Sequence, residues 1–493
     1  MEPLFFTNNN NIYYYNNNSK VLVYIHPILY SIIRTENSGN PIDIKTLAKE
    51  FPLFSIENIE YYQRKYVYMK KYIFQESQPI ETEFNRYTPN DIIQNLANSS
   101  QLVFEVTTKC NMKCAYCAYG ECYDNLEYSP NDTLTFAKAK NIIDYLFNIW
   151  NSKNYVSFNK RQNIGFYGGE ALLNIKLIED IIYYVDSKAA ESNIIFKYSM
   201  TTNAILLDKY MDFLVKHDFN LLISLDGNEF NNGYRVLKNN LSSYNIVLNN
   251  INKLRKKYPK YFERNVSFNS VLHNKNSVNE IYSFFKQQFN KKPSIGELTS
   301  SEIDKNKMDK FNRMYKSMSK DMDVSNNEVY FENSPIIRNI FSFLYHYSGD
   351  IYKDYYHFLL KHPQKEILMQ TGTCPPFTKK IYISCDGKIL PCEKVSHKYA
   401  LGEVTDKCVN INPELIAKKY NQIFEILNHQ CNRCHGKMFC GKCFFFIDKI
   451  DSNHPKCNAY MDLKNFYYTF GRLLGILEHT PSIYNNILKI KLS

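Results

Sequence analysis

No stretch of about 18 or more apolar residues occurs in this sequence, so no segment reads as a membrane-spanning helix. The start of the chain, Met1-Glu2-Pro3-Leu4-Phe5-Phe6, lacks the basic-then-apolar order of a secretory signal. A reducing cytoplasm is therefore the expected compartment. Long runs of one charge are missing too: the net charge of +11 is scattered, and basic runs such as Arg255-Lys256-Lys257 are no longer than three. A nucleic-acid groove needs Lys and Arg clustered on one element with interleaved aromatics. Neither nucleic acid nor a membrane is an expected partner. At 493 residues and 44% hydrophobic content the chain is long enough for two to four domains. Its 41 tyrosines read as compositional bias.

Cysteine, by contrast, is plentiful. Thirteen are present, and in a reducing compartment tight cysteine spacings argue for metal binding or catalysis rather than disulfides. The tightest group is Cys110, Cys114 and Cys117, directly behind the buried strand-like run Leu102 to Thr107. Three thiolates hold three irons of a 4Fe–4S cluster and leave the fourth open for a small ligand. A structural zinc or disulfide loop is the other reading of the triplet. With Tyr116 before the last cysteine, the pattern resembles the radical S-adenosylmethionine (radical SAM) enzymes.

Downstream of this loop, strand-like and helix-like runs alternate, which argues for a parallel sheet built from crossovers. The helices are Asp132 to Trp150, Ile175 to Ala189, Asp208 to His217, Tyr244 to Lys257 and Val278 to Phe289. The strands are Ile164 to Tyr167, Phe196 to Met200, Leu221 to Leu225, Val266 to Leu272 and Ile295 to Leu298. Six units are too few for a closed eight-stranded barrel, and the resemblance implies an α/β fold with a partial (β/α)6 TIM-like barrel over residues 99–302. Polar clusters follow the strand ends, where barrel active sites lie. Gly168 and Gly169 let the backbone approach an amino-acid head group, and Glu170 balances its ammonium. Asn203, Ser224 and Asp226 suit ribose hydroxyls and a carboxylate, and Arg235 pairs with that carboxylate or with Asp226. The resemblance implies that Gly168, Gly169 and Glu170 contact the methionine amine of S-adenosylmethionine. It implies cofactor roles for Tyr116, Asn203, Ser224, Asp226 and Arg235 as well. Cys122 reads as a small loop residue or a reactive thiol.

Residues 1–98 form a small α+β module by element order: three β-rich runs, then helical stretches from Ile28, Ile44 and Ile56. The order resembles the winged-helix-like elements with which peptide-modifying enzymes hold a leader, by adding an extended peptide to a sheet edge. A capping domain is the alternative. Residues 303–370 read as a helical connector, with helices over Met308 to Met322 and Ile336 to Tyr345.

A second cysteine-rich segment spans residues 371–462, ahead of a closing helix within 463–493. The spacing Cys374-x12-Gly387-x4-Cys392, followed by Cys431-x2-Cys434-x5-Cys440-x2-Cys443 and Cys457, resembles the SPASM extension of peptide- and protein-modifying radical SAM enzymes. In that family the last close pair is separated by three residues, and here by two. The resemblance implies two auxiliary 4Fe–4S clusters, three in all with that of the Cys110 loop. Cys431, Cys434, Cys440 and Cys457 would hold one. Cys374, Cys392 and Cys443 would hold the other, with Cys385 as its fourth ligand or an iron left open. A zinc ribbon is the competing reading. Cys408 is expected in the core. Glu393, just after Cys392, matches the acid that acts as base in sulfatase-maturing relatives, and otherwise reads as a surface residue. The wording around Cys117, Gly165 to Glu170 and Met200 to Ala204 is similar to maturases of ribosomally made peptides with double-glycine leaders. That likeness implies a precursor peptide as substrate and an electron donor such as flavodoxin or ferredoxin. A sulfatase-maturing enzyme and a non-catalytic iron–sulfur carrier are the alternatives.

Overall fold

The computed structural model describes residues 4–16, 21–74, 83–84, 86–123, 131–157, 160–190, 192–300, 303–318, 321, 340–341, 344, 367–368, 371–437, 440–452 and 454–484. The expected helix over Ile336 to Tyr345 lies almost wholly outside them. Two compact units result: residues 1–85, 327–372 and 424–493, and residues 86–326 and 373–423.

The first unit opens with an antiparallel meander of β1 (Leu4–Phe6), β2 (Ile12–Asn16) and β3 (Val21–Ile25). Three helices follow: α1 (Pro27–Asn37), α2 (Ile44–Glu50) and α3 (Ile56–Tyr72). Each begins where chemistry dictates. Pro27 opens α1, and the side chains of Asp43 and Ser55 accept backbone N–H bonds as N-caps of α2 and α3. Ile25, Ile28, Leu29, Ile32, Ile33 and Ile59 are fully buried in a core of the module's own. The closing helix, Leu463–His479, lies on the β1 edge. There a Cβ on Gly471 would meet the Phe6 carbonyl at 2.1 Å, so only glycine allows the approach. Among the described residues no strand pairs with the outer edge of β3. The short strands β4 (Glu83–Phe84) and β11 (Ile367–Leu368) pair in parallel within the same unit.

The second unit is a singly wound sheet. After α4 (Pro89–Ala97) come β5 (Gln101–Thr107), α5 (Phe136–Trp150), β6 (Arg161–Gly168), α6 (Ile175–Ala189), β7 (Ile195–Thr202), α7 (Leu207–Lys216) and β8 (Asn220–Ser224). The chain goes on through α8 (Tyr244–Lys257), α9 (Pro259–Asn265), β9 (Val266–Leu272), α10 (Val278–Phe289), β10 (Ser294–Glu297) and α11 (Met308–Met314). β5 to β10 are parallel and adjacent in chain order. Helix faces such as Ile178, Ile181, Ile182 and Val185 of α6 are buried. Helix α9, absent from the sequence reading, is short and opens on Pro259.

The cysteine-rich segment divides. β12 (Ile381–Ile383) pairs in parallel with β5, and β13 (Lys388–Leu390), β14 (Gly402–Val404) and β15 (Val409–Ile411) continue it antiparallel. The result is one ten-stranded mixed sheet. Among the described residues no helix is long and apolar enough to cross a membrane.

Candidate active site

Every strand end from β5 to β9 delivers polar side chains to one rim. The cysteine loop after β5 is stitched to the segment 234–237: Lys113 N–H donates to Val236 O at 2.8 Å and Ala115 N–H to Tyr234 O at 3.0 Å. Met112 N–H donates to Cys110 Sγ at 3.4 Å. Burial pushes the Cys110, Cys114 and Cys117 thiols up, Cys117 to about 12 with the charges of Cys114 and Cys110 adding to the shift. Arg235 pulls each of them down. Among the described residues no three Cys, His, Asp or Glu side chains already converge as a metal-binding set. What the loop supplies is three neighbouring thiols that need a bound cation to stand as thiolates. An iron–sulfur cluster fits that need. The buried Nδ2 of Asn111, next to Cys110, has no hydrogen-bond partner, as a group facing a cofactor would have.

The glycines and Glu170 act first on the protein itself. Gly168 has φ +139°, and a Cβ there would meet Thr107 O at 2.1 Å; one on Gly169 would meet Lys109 O at 2.4 Å. Gly169 N–H donates to Thr107 O at 2.9 Å and Glu170 N–H to Lys109 O at 2.8 Å. The pair lets the β6 end lie against the backbone that leads into the cysteines. Glu170, 1% exposed, accepts Leu172 N–H at 3.2 Å and the Thr202 hydroxyl at 2.7 Å on one oxygen, and Asn203 N–H at 2.7 Å on the other. Its carboxylate pins the β7 end.

Tyr116, Asp226 and Arg235 form one buried network. Tyr116 donates its hydroxyl hydrogen to Asp226 Oδ2, and Arg235 Nη1 donates to the Tyr116 oxygen at 3.1 Å. Asp226 Oδ1 accepts Val271 N–H at 3.0 Å, and His273 Nε2 stands 3.5 Å from the other oxygen. His273 is fully buried and stacks on Tyr116 at 5.8 Å. Sequence reasoning missed it because a lone histidine after a strand carries no spacing signal. Asn203 Nδ2 lies 2.7 Å from Asn111 Oδ1, and Ser224 closes β8 opposite Asn269.

A cavity of about 580 Å³ lies against one face of strands β5 to β9. Gln101, Asn163, Ser199, Ser267, Lys380 and Glu393 line it. Glu393 therefore faces the interior, 2.8 Å from Lys380 Nζ. Cys385 has a different setting from the ligand role expected of it. Its thiol donates to Glu105 O at 3.1 Å, its N–H to Glu105 Oε2 at 3.0 Å, and burial pushes its pKa far up. In this structure the thiol is a hydrogen-bonded link between β12 and β5. Cys408 is a correction: expected in the core, it is exposed on the turn joining β14 and β15, where polar Thr405, Asp406 and Lys407 leave it no apolar face to join. Cys122 is buried against Tyr123, Phe311 and Met314 and donates to Ala115 O.

In the first unit Cys434, Cys440 and Cys457 lie near enough to Cys431 for their charges to act on it, without converging as a metal-binding set. Burial pushes Cys431 up to about 12, and the neighbouring charges of Cys440, Cys434 and Cys457 add to it. Gly372 lies against the Cys440 carbonyl, 2.4 Å from where its Cβ would be. Cys443 precedes the turn Phe444–Phe446 of this unit, while Cys374 and Cys392 belong to the other.

Residues 104–287 match the model of the Radical SAM superfamily. The second unit carries a radical SAM domain. A cysteine-type anaerobic sulfatase-maturating enzyme of Clostridium novyi is 29% identical over 196 residues, 38% of this chain and 48% of that protein. The radical SAM cyclopropyl synthase TigE of Paramaledivibacter caminithermalis is 29% identical over 176 residues, 34% of each chain. The chain thus spans half or less of the length of these two curated relatives. The solved structure of native anSMEcpe with bound AdoMet shares the fold, with a TM-score of 0.52 at 18% identity over 79% of this chain and 99% of that one.

Proposed function

We propose that the radical SAM domain of this chain modifies a ribosomally made precursor peptide, oxidatively and with formation of a cross-link, and that the peptide's double-glycine leader docks on residues 4–74. The observation that carries this reading is the outer edge of β3, which no strand pairs with among the described residues. Beside it stand exposed Tyr24 on β3 and Tyr61 on α3, with Tyr62 close enough to both to sense their charge. An extended leader gains main-chain hydrogen bonds on such an edge and places alternate side chains against the aromatics. The likeness to a cyclopropyl synthase supports chemistry of the radical type at a carbon centre.

When bound, the cluster and S-adenosylmethionine supply a 5′-deoxyadenosyl radical that removes a hydrogen atom from an unactivated carbon. The chain's own residues do the rest. Cys110, Cys114 and Cys117 would ligate the cluster, and the Tyr116–Asp226–Arg235 network fixes Tyr116 of that loop. Cys431, Cys434, Cys440 and Cys457, all of the first unit, would hold an auxiliary 4Fe–4S cluster. Such a cluster would supply an acceptor for the electron left on the substrate, and a flavodoxin- or ferredoxin-type protein would be the donor of the first one. Glu393, inside the cavity, takes up the substrate proton.

A sulfatase-maturing activity is the second reading, favoured by the cavity position of Glu393 and by the likeness to sulfatase-maturating enzymes. One experiment separates them. The anaerobically reconstituted protein, reduced with S-adenosylmethionine, is offered a peptide encoded beside its gene and, separately, a cysteine-bearing sulfatase peptide. Loss of hydrogen pairs from the first peptide, in step with 5′-deoxyadenosine, is expected. Formylglycine in the second with the first unchanged would overturn the proposal. Cys110→Ala abolishes 5′-deoxyadenosine in either case.

A further inference from the structure

The hydrogen bonds around Cys110 orient one amide group toward an acceptor that the chain does not contain. Asn203 Oδ1 accepts the backbone N–H of Ile205 at 3.0 Å. A backbone N–H only donates, so this bond decides which end of the Asn203 amide is oxygen. Its Nδ2 therefore points the other way, 2.7 Å from Asn111 Oδ1 and 3.7 Å from Cys110 Sγ. Because Asn203 presents a donor, the Asn111 amide must present its oxygen, and its own orientation is set in turn. The Cys110 thiol leans on that same oxygen. What remains is Asn111 Nδ2, two N–H donors that are buried without a partner. Native structures rarely leave such donors unmet, because a buried N–H gives up its water for nothing.

We infer that Asn111 Nδ2 is a hydrogen-bond donor to the bound cofactor of the radical SAM domain, its acceptor an anionic atom beside Cys110. Two cofactor atoms have that chemistry: a sulfur of the iron–sulfur cluster and a carboxylate oxygen of S-adenosylmethionine. Asn203 is a positioning residue that acts through Asn111. The inference does not depend on the peptide substrate. It assigns a role to a residue of the cysteine loop that is not itself a ligand.

The test uses the full-length, anaerobically reconstituted protein and two readouts that need no turnover. Calorimetry gives the S-adenosylmethionine dissociation constant, and a potentiometric titration follows the electron-paramagnetic-resonance signal that responds to S-adenosylmethionine. If the acceptor is the carboxylate, Asn111→Ala raises the dissociation constant by about 10- to 100-fold and leaves the potential measured without S-adenosylmethionine unchanged. If the acceptor is a cluster sulfur, that potential falls, because N–H donors to sulfur favour the more negative reduced cluster. Either result supports the inference. Wild-type values of both quantities overturn it, even if thermal stability drops, since that drop alone marks a structural residue. Should Asn111→Ala fail to take up iron, Asn203→Ala decides. It leaves the whole loop intact, and the same shifts in weaker form are expected; unchanged values overturn the inference.

Discussion

Replacing Glu170 by glutamine separates a residue that builds the site from one that touches the cofactor. Glutamine has the same shape, but one carboxylate oxygen becomes an NH2 group. If that group takes the place that faces Asn203 N–H, two donors meet where a 2.7 Å bond stood. In the other placement it faces Leu172 N–H and the Thr202 hydroxyl. Thr202 Oγ1, already accepting Ala204 N–H at 3.0 Å, has a second lone pair to offer. That placement is cheaper and orphans only the Leu172 N–H, a loss of about 1–3 kcal/mol. Glu170→Ala leaves all three donors without the carboxylate and costs more, about 3 kcal/mol or above at the same rate per donor. The expected order of urea midpoints for the metal-free protein is wild type, then Glu170→Gln, then Glu170→Ala. S-adenosylmethionine binding by the reconstituted Gln variant weakens only as far as the β7 end is displaced. A Gln variant with an unchanged urea midpoint and abolished S-adenosylmethionine binding would refute this reasoning and return Glu170 to the ammonium of the cofactor.

Gly168→Ala forces a Cβ onto the Thr107 carbonyl at a φ that L-residues avoid. Strain of about 1–3 kcal/mol is expected, and iron analysis should show loss of the loop cluster with the auxiliary iron retained. Cys385→Ser keeps the wild-type iron and sulfide content, because its thiol is bonded to Glu105. Iron loss equal to that of Cys374→Ser would show Cys385 to be a ligand after all. Tyr24→Ala with Tyr61→Ala weakens binding of a fluorescent leader peptide about 5- to 160-fold, taking roughly 0.5–1.5 kcal/mol for each aromatic ring removed. Unchanged anisotropy would remove the β3 edge from the recognition surface.

The alternation of short apolar runs with amphipathic stretches was enough to place the six parallel strands and, apart from α9, the helices between them. Val266–Leu272, Ile175–Ala189, Tyr244–Lys257 and Val278–Phe289 have in the structure the bounds read from the sequence. These are local properties: a strand with one face packed under helices keeps apolar residues on that face, as Val266, Phe268 and Leu272 of β9 do, and a helix covering a sheet must repeat at 3.6 residues. The cysteine loop and the polar strand ends were legible for the same reason, since spacing is a property of sequence.

What each polar side chain does was decided by the tertiary structure. Glu170 and Asn203 lie 33 residues apart in the chain and Tyr116 and Asp226 110 apart, and only the folded sheet brings them within hydrogen-bond reach. The same holds for Lys380 beside Glu393, for His273 behind Asp226, and for Cys385, which spacing suggests as a ligand and the β5–β12 pairing turns into a buried thiol. A side chain's chemistry depends on which donors and charges surround it once water has been excluded. That environment is assembled from distant segments, so sequence spacing could name the residues of this site but not their partners.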